Sequence, residues 1–222
     1  MDNKYCEYLR LPRSHEFNIL RSICVHPQSK IIYFKPGKVA GTSIFRKVLQ
    51  PMGGWVIIKD NPLQFNEWLQ NITDDELESY FKFIFVRNPF DRLVSAWNDI
   101  DRPFYPDFKE FVYDGIFDEN GNPRKLHYQL QSSLIETPVG YGLGSLFIGK
   151  LENLQGDWKE LCGILDIPHQ VLGKHSQSNH EHYTTYYDDE TKNMVSQLYK
   201  RDFELFGYDF QYRLSYLFKR LF

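Results

Sequence analysis

Short apolar runs alternate with helical patterns along this chain, and this alternation constrains the fold more than any other feature of the sequence. Four runs are predicted to be strands: Ile31–Phe34, Trp55–Ile58, Phe83–Val86 and Leu146–Ile148. They are rich in β-branched and aromatic residues, which suit buried strands. Since helices between strands join parallel strands, we predict an α/β fold: a three-layer sandwich with a central parallel sheet of about four to five strands and helices on both faces.

Helical patterns fill the intervals between the strands. Helices are predicted from about Thr42, over Asp74–Phe81, from Asn88 onward, over Glu152–Leu165 and over Asp188–Phe206. Thr73 and Glu76 have the spacing of a capping box, and an asparagine followed by proline begins a helix well. The region between Asp101 and Tyr141 carries several prolines and glycines. We expect loops and short helices there.

The whole chain, residues 1–222, is predicted to form one domain. Its length suits one hydrophobic core, and no repeat or low-complexity linker divides it. A formal net charge of -3 argues against nucleic-acid binding through bulk electrostatics. No stretch is apolar for long enough to cross a bilayer, and the first residues do not form a signal peptide. Three widely spaced cysteines predict neither a disulfide framework nor a zinc site, and favour a reducing compartment.

The first candidate anion site is KPGKVAGTS, residues Lys35–Ser43, between the first predicted strand and a helix. A phosphate there would meet backbone N–H groups and the positive end of the helix dipole. Gly37 and Gly41 let the backbone bend closely around it. Its side chains add one cation and two hydroxyl donors: Lys38, Thr42 and Ser43. The segment is not a Walker A loop, because its lysine precedes the second glycine. Taken alone, it is equally well a glycine turn with a solvated lysine.

The second candidate is FIFVRNPFDRLVSAW, in which a strand leads into a helix. Arg87 lies at the end of the strand, and Arg92 and Ser95 are predicted on the helix face opposite the apolar stripe. The forked guanidinium of Arg87, with Ser95, suits a second phosphate. Arg92 is equally well a surface partner of Asp91 or Asp99. Two phosphate sites at adjacent strand ends suit a nucleotide phosphorylated at both ends of its ribose.

These segments resemble motifs of the sulfotransferases that use 3′-phosphoadenosine 5′-phosphosulfate (PAPS). The resemblance is to the carbohydrate branch (chondroitin and heparan type) and its bacterial relatives. FKPGKVAGTSIFRKVL resembles the family's 5′-phosphosulfate loop, and FKFIFVRNPFDRLVSAW resembles its 3′-phosphate motif. LFIGKLENLQGDWKELCGILDI resembles a later strand and helix, and YDDETKNMVSQLYKRDFELFGYDF the closing helix with its Tyr-x-x-Asp-Phe pattern. The likeness runs from about Ile31 to Phe210 and implies a P-loop-like form of the α/β sandwich.

The resemblance implies a metal-independent, in-line transfer of the sulfuryl group from PAPS to an acceptor hydroxyl. The expected acceptor is a carbohydrate, and the product nucleotide is 3′-phosphoadenosine 5′-phosphate (PAP). Lys38 would stabilise charge on the bridging oxygen as the sulfuryl group leaves. Arg87 and Ser95 would hold the 3′-phosphate. The 5′ side of the donor would be held by the loop residues Gly37, Lys38, Val39, Ala40, Gly41, Thr42 and Ser43.

An acceptor hydroxyl benefits from a general base, and two candidates are left open. His127, in KLHYQLQSSL, resembles the His-Trp stretch of chondroitin-type relatives, with Tyr128 in place of the tryptophan. Asp60 follows the second predicted strand, where other relatives place their base. No metal is expected, because the spacing of the remaining clustered histidines matches no zinc site: His175, His180 and His182.

Two alternative functions stay open. A P-loop kinase-like enzyme would need magnesium and a triphosphate, and the missing Gly-Lys-Ser/Thr weighs against it. A non-catalytic nucleotide-binding scaffold is disfavoured by the presence of Lys38, Arg87 and Ser95. The expected location is a bacterial cytoplasm, favoured by the short length and few cysteines, or the lumen if the chain is a trimmed eukaryotic domain. The oligomeric state, a homodimer included, is left open.

Overall fold

A five-stranded sheet forms the centre of the computed structural model, which describes residues 22–57, 62–140, 146–173 and 180–211. Its strands are β1 (Ile23–His26), β2 (Ile31–Phe34), β3 (Val56–Ile57), β4 (Phe81–Val86) and β5 (Leu146–Lys150). Their order is β3-β1-β2-β4-β5. The β2–β4 and β4–β5 pairs are parallel, whereas β1 is antiparallel to both β2 and β3. All strands except β1 therefore run in the same direction, and the predicted α/β fold is confirmed.

Helices pack on both faces of this sheet. They are α1 (Gly41–Ile44), α2 (Pro62–Asn71), α3 (Asp74–Glu78), α4 (Pro89–Ala96), α5 (Phe108–Glu110), α6 (Ser132–Ile135), α7 (Leu154–Ile164), α8 (Asp189–Leu198) and α9 (Lys200–Phe206). Helices α1, α4 and α5 continue as π-helical turns at Phe45–Leu49, Trp97–Asp101 and Phe111–Gly115. The prediction of a single helix over Asp188–Phe206 is wrong in one respect, because the structure has two helices there. They are divided at Tyr199, whose backbone is not helical and whose hydroxyl donates to the Tyr128 carbonyl.

Side chains of the central strands alternate between two cores. Ile32 and Ile84 point to one side, where α2, α3 and α6 contribute apolar residues. Tyr33 and Phe83 point to the other side, where they stack with their ring centroids 4.5 Å apart and where Trp158 of α7 is fully buried. Because both faces of the sheet are covered, its strands are largely apolar rather than alternating with polar residues. The exceptions include the buried side chains of His26, Lys82 and Lys150. The three predicted layers follow from this pattern.

Local signals account for the ends of several elements. The Thr73 side chain accepts from the Glu76 N–H and the Glu76 carboxylate accepts from the Thr73 N–H, which confirms the capping box of α3. Asn88 caps α4 by accepting from the Phe90 N–H. Strand β1 and helix α2 were not predicted. β1 forms a hairpin with β2 through residues 27–30, so it lies outside the strand–helix alternation from which the strands were inferred.

Candidate functional site

The segments that follow β2 and β4 begin side by side. The two strands pair in parallel, with Phe34 opposite Ile84, so their carboxyl ends lie at one edge of the sheet. The Arg87 Nη1 group, just beyond β4, donates to the Lys38 carbonyl of the loop after β2 at 3.4 Å. The two candidate anion segments therefore lie next to each other, at the edge where open α/β sheets bind ligands.

The loop after β2 is shaped by unusual backbone conformations. Lys38 and Ala40 have φ angles of 68° and 58°, in the left-handed region that non-glycine residues rarely adopt. The Ala40 carbonyl then accepts from the Ser43 and Ile44 N–H groups at 2.9 and 3.1 Å, which begins α1. Such backbone strain costs about 1–3 kcal/mol per residue and is concentrated at functional sites.

Gly41, the first residue of α1, has no space for a side chain. A Cβ atom there would lie 2.8 Å from the Lys35 Cγ atom and 3.4 Å from the Tyr33 hydroxyl. Of the two predicted hydroxyl donors, Thr42 is exposed and Ser43 is buried. Val39 is also buried and belongs to the core on the α1 side of the sheet. Thr42 thus lies on the solvent side of this segment, while Val39 anchors the loop to the core.

The Lys38 side chain is directed towards α4 and its π-helical continuation. It is only 11% exposed, and its Nζ atom forms an ion pair with the Asp99 carboxylate. Asp99 was considered as a partner of Arg92, and this interpretation is wrong. The pair joins residues 61 positions apart in the sequence, so no local pattern indicates it.

Arg87 is fixed by both its backbone and its side chain. Its N–H donates to the Gln131 Oε1 atom at 2.9 Å, and its carbonyl accepts from the Gln131 Nε2 atom at 2.9 Å. Its Nε atom donates to the Asp91 carboxylate at 2.7 Å, one turn along the helix. The next residue, Asn88, donates its N–H to Glu152 at 2.8 Å. Arg87 therefore precedes helix α4 at a position set by Gln131 and Glu152 of two other segments and by Asp91 of the helix itself.

Helix α4 is buried on almost its whole circumference, which overturns one prediction. Arg92 is 1% exposed and Ser95 is fully buried, so they do not lie on a solvent face opposite the apolar stripe. Arg92 donates to the carbonyls of His127 and Gln129 at 2.9 and 2.5 Å rather than pairing with Asp91 or Asp99. The reason is long-range: residues 126–132 and α9 cover this face. The role of Ser95 as a phosphate ligand stays a prediction.

His127 lies directly against the loop after β2. A Cβ atom on Gly37 would come within 2.7 Å of the His127 Cδ2 atom. Burial lowers the pKa of His127, and the positive charges of Lys38 and Arg92 lower it further. A histidine that is neutral near pH 7 is able to accept a proton. The structure therefore brings this candidate base to the site, whereas Asp60 lies outside the described residues.

A second ion pair, between Asp101 and Lys125, involves the same π-helical turn as Asp99. Asp101, the last residue of the π-helical turn after α4, is buried and accepts from the Lys125 Nζ atom at 2.5 Å. Asp101 acts on the pKa of His127 in the opposite direction to Lys125, and the lowering influences prevail. Sequence reasoning named Asp99 only as a partner of Arg92 and missed Asp101, although both follow the second motif by only a few residues.

Other expectations concern metals, cysteines and membranes. Within the described ranges, no three His, Cys, Asp or Glu side chains are grouped so as to hold a metal ion. Cys24 and Cys162 are buried and form no disulfide bond within the described residues, and Cys6 lies outside them. Over the same part of the chain, no helix has the length and apolar character needed to cross a membrane.

Comparison with known proteins adds a family to this geometry. A family model described as "Sulfotransferase family" matches residues 21–209. Human carbohydrate sulfotransferase 9 is 25% identical over an alignment 249 residues long, gaps included, that covers 92% of this chain and 54% of that protein. Carbohydrate sulfotransferase 10 of Danio rerio is 30% identical over 183 residues, which cover 71% of this chain and 49% of that protein. The chain thus spans about half the length of these relatives. No solved structure matches it significantly.

Proposed function

Because this chain belongs to the sulfotransferase family, we propose that it transfers the sulfuryl group of PAPS to a carbohydrate hydroxyl and releases PAP. The observation that carries the proposal is the convergence of Lys38, Arg87 and His127 at one edge of the sheet. A carbohydrate acceptor is supported by two relatives, both named as carbohydrate sulfotransferases. In this proposal the site would combine two cations, for a nucleotide with anionic groups at both ends of its ribose, with a base for a hydroxyl.

The chemistry of the donor set fits PAPS. The absence of a Cβ atom at Gly41 lets the start of α1 pack closely against Lys35 and Tyr33, and Thr42 is exposed beside it. We assign the 5′-phosphosulfate end to residues 37–43 and the 3′-phosphate to Arg87 and Ser95. A guanidinium has five N–H donors, and among the described residues Arg87 uses one for Asp91 and one for Lys38. Bound PAPS supplies a sulfuryl group on a good leaving group.

Lys38 and His127 would act on opposite sides of the transferred group. In the transfer, the acceptor oxygen forms a bond to sulfur while the bond from sulfur to the 5′-phosphate oxygen breaks. Lys38 stabilises the negative charge that develops on that leaving oxygen. His127 accepts the proton of the acceptor hydroxyl, for which its lowered pKa keeps it neutral near pH 7. Asp60 is the alternative base, and no metal takes part in this proposal.

Binding of the product nucleotide tests the proposal. Titration with PAP in the absence of metal should show binding by the wild-type protein. Arg87→Ala should weaken it about 10- to 100-fold, because a charged hydrogen bond contributes about 1.5–3 kcal/mol. Arg201→Ala is the matched control, because it removes an arginine whose side chain is 53% exposed on α9. Labelled PAPS with a panel of carbohydrates then identifies the acceptor.

The same titration separates the alternatives. A kinase-like enzyme would prefer ATP with magnesium over PAP. A scaffold would bind PAP without transferring label to any acceptor in the panel. Either result would contradict the proposed function. The predicted locations, a bacterial cytoplasm or a lumenal space, both stay predictions, and the vertebrate origin of the two relatives is compatible with the lumenal one. A homodimer likewise stays open.

A further inference from the structure

Residues 126–132, which we name the histidine segment, are held from both sides by buried polar side chains. From α4, Arg92 donates to the carbonyls of His127 and Gln129 at 2.9 and 2.5 Å. From the junction of α8 and α9, the Tyr199 hydroxyl donates to the Tyr128 carbonyl at 2.7 Å. The backbone around the candidate base is therefore fixed by residues distant from it in the sequence.

Asp202 of α9 holds the other end of the histidine segment. Its carboxylate accepts from the Gln131 N–H at 2.9 Å and from the Ser132 N–H at 2.8 Å, the two residues that begin α6. It also accepts from the Gln131 Nε2 atom at 3.3 Å. Asp202 thus orients both the backbone and the side chain of Gln131.

Gln131 passes this orientation on to Arg87. Its amide group forms two 2.9 Å hydrogen bonds with the backbone N–H and carbonyl of Arg87. Asp202, Gln131 and Arg87 therefore form a continuous chain of hydrogen bonds from α9 to the donor side of the site. His127, near the start of the same segment, is the candidate base on the acceptor side.

The network is too deeply buried to be an incidental surface arrangement. Arg92, Gln131, Tyr199 and Asp202 are each at most 1% exposed. The Arg92 guanidinium lies 4.0 Å from the Asp202 carboxylate and 5.5 Å from the Tyr199 ring centre. Apolar side chains would fill such a space at less desolvation cost, whereas buried hydrogen bonds to fixed partners favour one geometry. The network is not completely satisfied, because the Arg92 Nε atom has no hydrogen-bond partner among the described residues.

We propose that Tyr199, Gln131 and Asp202 are positioning residues that set the distance between His127 and Arg87. The inference rests on the proposed function, because it gives those two side chains opposite sides of one reaction. It also gives a role to the Tyr-x-x-Asp-Phe pattern of the sequence, formed by Tyr199, Asp202 and Phe203. The first two hold the site, and Phe203 packs against Phe90 with ring centroids 4.9 Å apart.

The network has two branches: one runs from Asp202 through Gln131 to Arg87, and the other runs from Tyr199 to the backbone next to His127. Two substitutions test them separately. Gln131→Met keeps the size of the side chain but removes both hydrogen bonds to the Arg87 backbone. The dissociation constant for PAP should rise about tenfold, as expected when a buried hydrogen-bonding group loses its partner. Because this branch leads to Arg87, the pH dependence of kcat should stay as in the wild type.

Tyr199→Phe removes only the hydroxyl that holds the Tyr128 carbonyl next to His127. The affinity for PAP should stay unchanged, and kcat should fall about tenfold. Loosening this segment admits water, so the pKa of His127, which burial lowers, should rise towards its usual value. Since only the neutral imidazole accepts a proton, the acidic limb of kcat should shift to higher pH.

Arg201→Ala is the control for both variants. Arg201 precedes Asp202 on α9, and its exposed pair with Glu136 joins α9 to the end of α6 without touching the buried network. It should leave PAP affinity, kcat and the pH profile unchanged. The fraction of folded protein is taken from the PAP stoichiometry in calorimetry, so that misfolding is not counted as lost affinity.

The outcomes separate this inference from the proposed function. If the wild-type protein does not bind PAP, the proposed function fails. If the wild-type protein binds PAP and transfers the sulfuryl group, the proposed function stands and the two variants test the inference. The inference is overturned if Gln131→Met leaves the PAP affinity unchanged and Tyr199→Phe leaves the acidic limb of the kcat profile unshifted. If Gln131→Met does not fold, the Tyr199→Phe profile decides, because that variant loses a single hydroxyl. If both variants lose PAP affinity and kcat to the same extent, the network is purely structural, and the inference is also overturned.

Discussion

The loop after β2 and the strand–helix junction after β4 each contribute a cation to the site, yet they are held in place by different means. In the loop, the left-handed backbones of Lys38 and Ala40 set the course of the chain. In the junction, the backbone of Arg87 is bonded to the side chain of Gln131, and the next residue to Glu152. The loop depends on strained conformations, whereas the junction depends on buried hydrogen bonds.

This difference has consequences for the effect of substitutions. A side chain of the loop that points to a partly exposed partner, as Lys38 does to Asp99, should contribute to the proposed transfer with little effect on folding. A buried polar side chain of the junction should affect both the transfer and the stability of the fold, because removing it leaves its hydrogen-bond partners unsatisfied. The two halves of the site should therefore be distinguishable by measuring stability and transfer on the same variants.

Arg92→Met should have the largest effect on stability. It removes two hydrogen bonds to carbonyls and leaves the Asp202 carboxylate, 4.0 Å away and fully buried, without a cation. Breaking a buried pair in this way lowers the free energy of unfolding by about 3–5 kcal/mol. Urea denaturation measures it, with Arg201→Ala as the exposed control. A loss below about 1 kcal/mol would show that the junction is no more dependent on its side chains than the loop.

The burial of Arg92 also shows where sequence reasoning reached its limit. The four predicted strands and the caps at Thr73 and Asn88 were confirmed because each depends on neighbouring residues. The helix face that carries Arg92 was assigned to solvent, since the residues covering it come from 126–132 and α9. The Lys38–Asp99 pair was missed for the same reason. Local patterns predicted the strand ends that meet at the site, but not the contacts that join them.

Lys38→Ala should have the second largest effect, on transfer alone. Loss of a group that stabilises developing charge lowers kcat by about 10²- to 10³-fold. The free energy of unfolding should change by less than about 1 kcal/mol, because Asp99 is 34% exposed and is solvated when its partner is lost. Label transfer from PAPS and urea denaturation measure the two quantities. Lys159→Ala, which removes an exposed positive charge from α7, is the control. Destabilisation as large as that of Arg92→Met would contradict the comparison.

Gly37→Ala should have the smallest effect, and it tests whether the loop and the histidine segment touch where the reaction occurs. The added Cβ atom would lie 2.7 Å from the His127 Cδ2 atom and 3.3 Å from its Cα atom, so the histidine must move by a few tenths of an ångström. We expect kcat to fall about three- to tenfold through this misplacement, with a smaller change in PAP affinity. Steady-state transfer and calorimetry measure the two effects.

The matched control for this substitution is Gly163→Ala on α7, where no atom lies within 4 Å of the added Cβ. Alanine inside a helix is favoured over glycine, so this variant should gain about 0.5–1 kcal/mol of stability without a change in kcat. If Gly37→Ala also leaves kcat unchanged, the contact between Gly37 and His127 has no part in the reaction. The base would then be sought at Asp60.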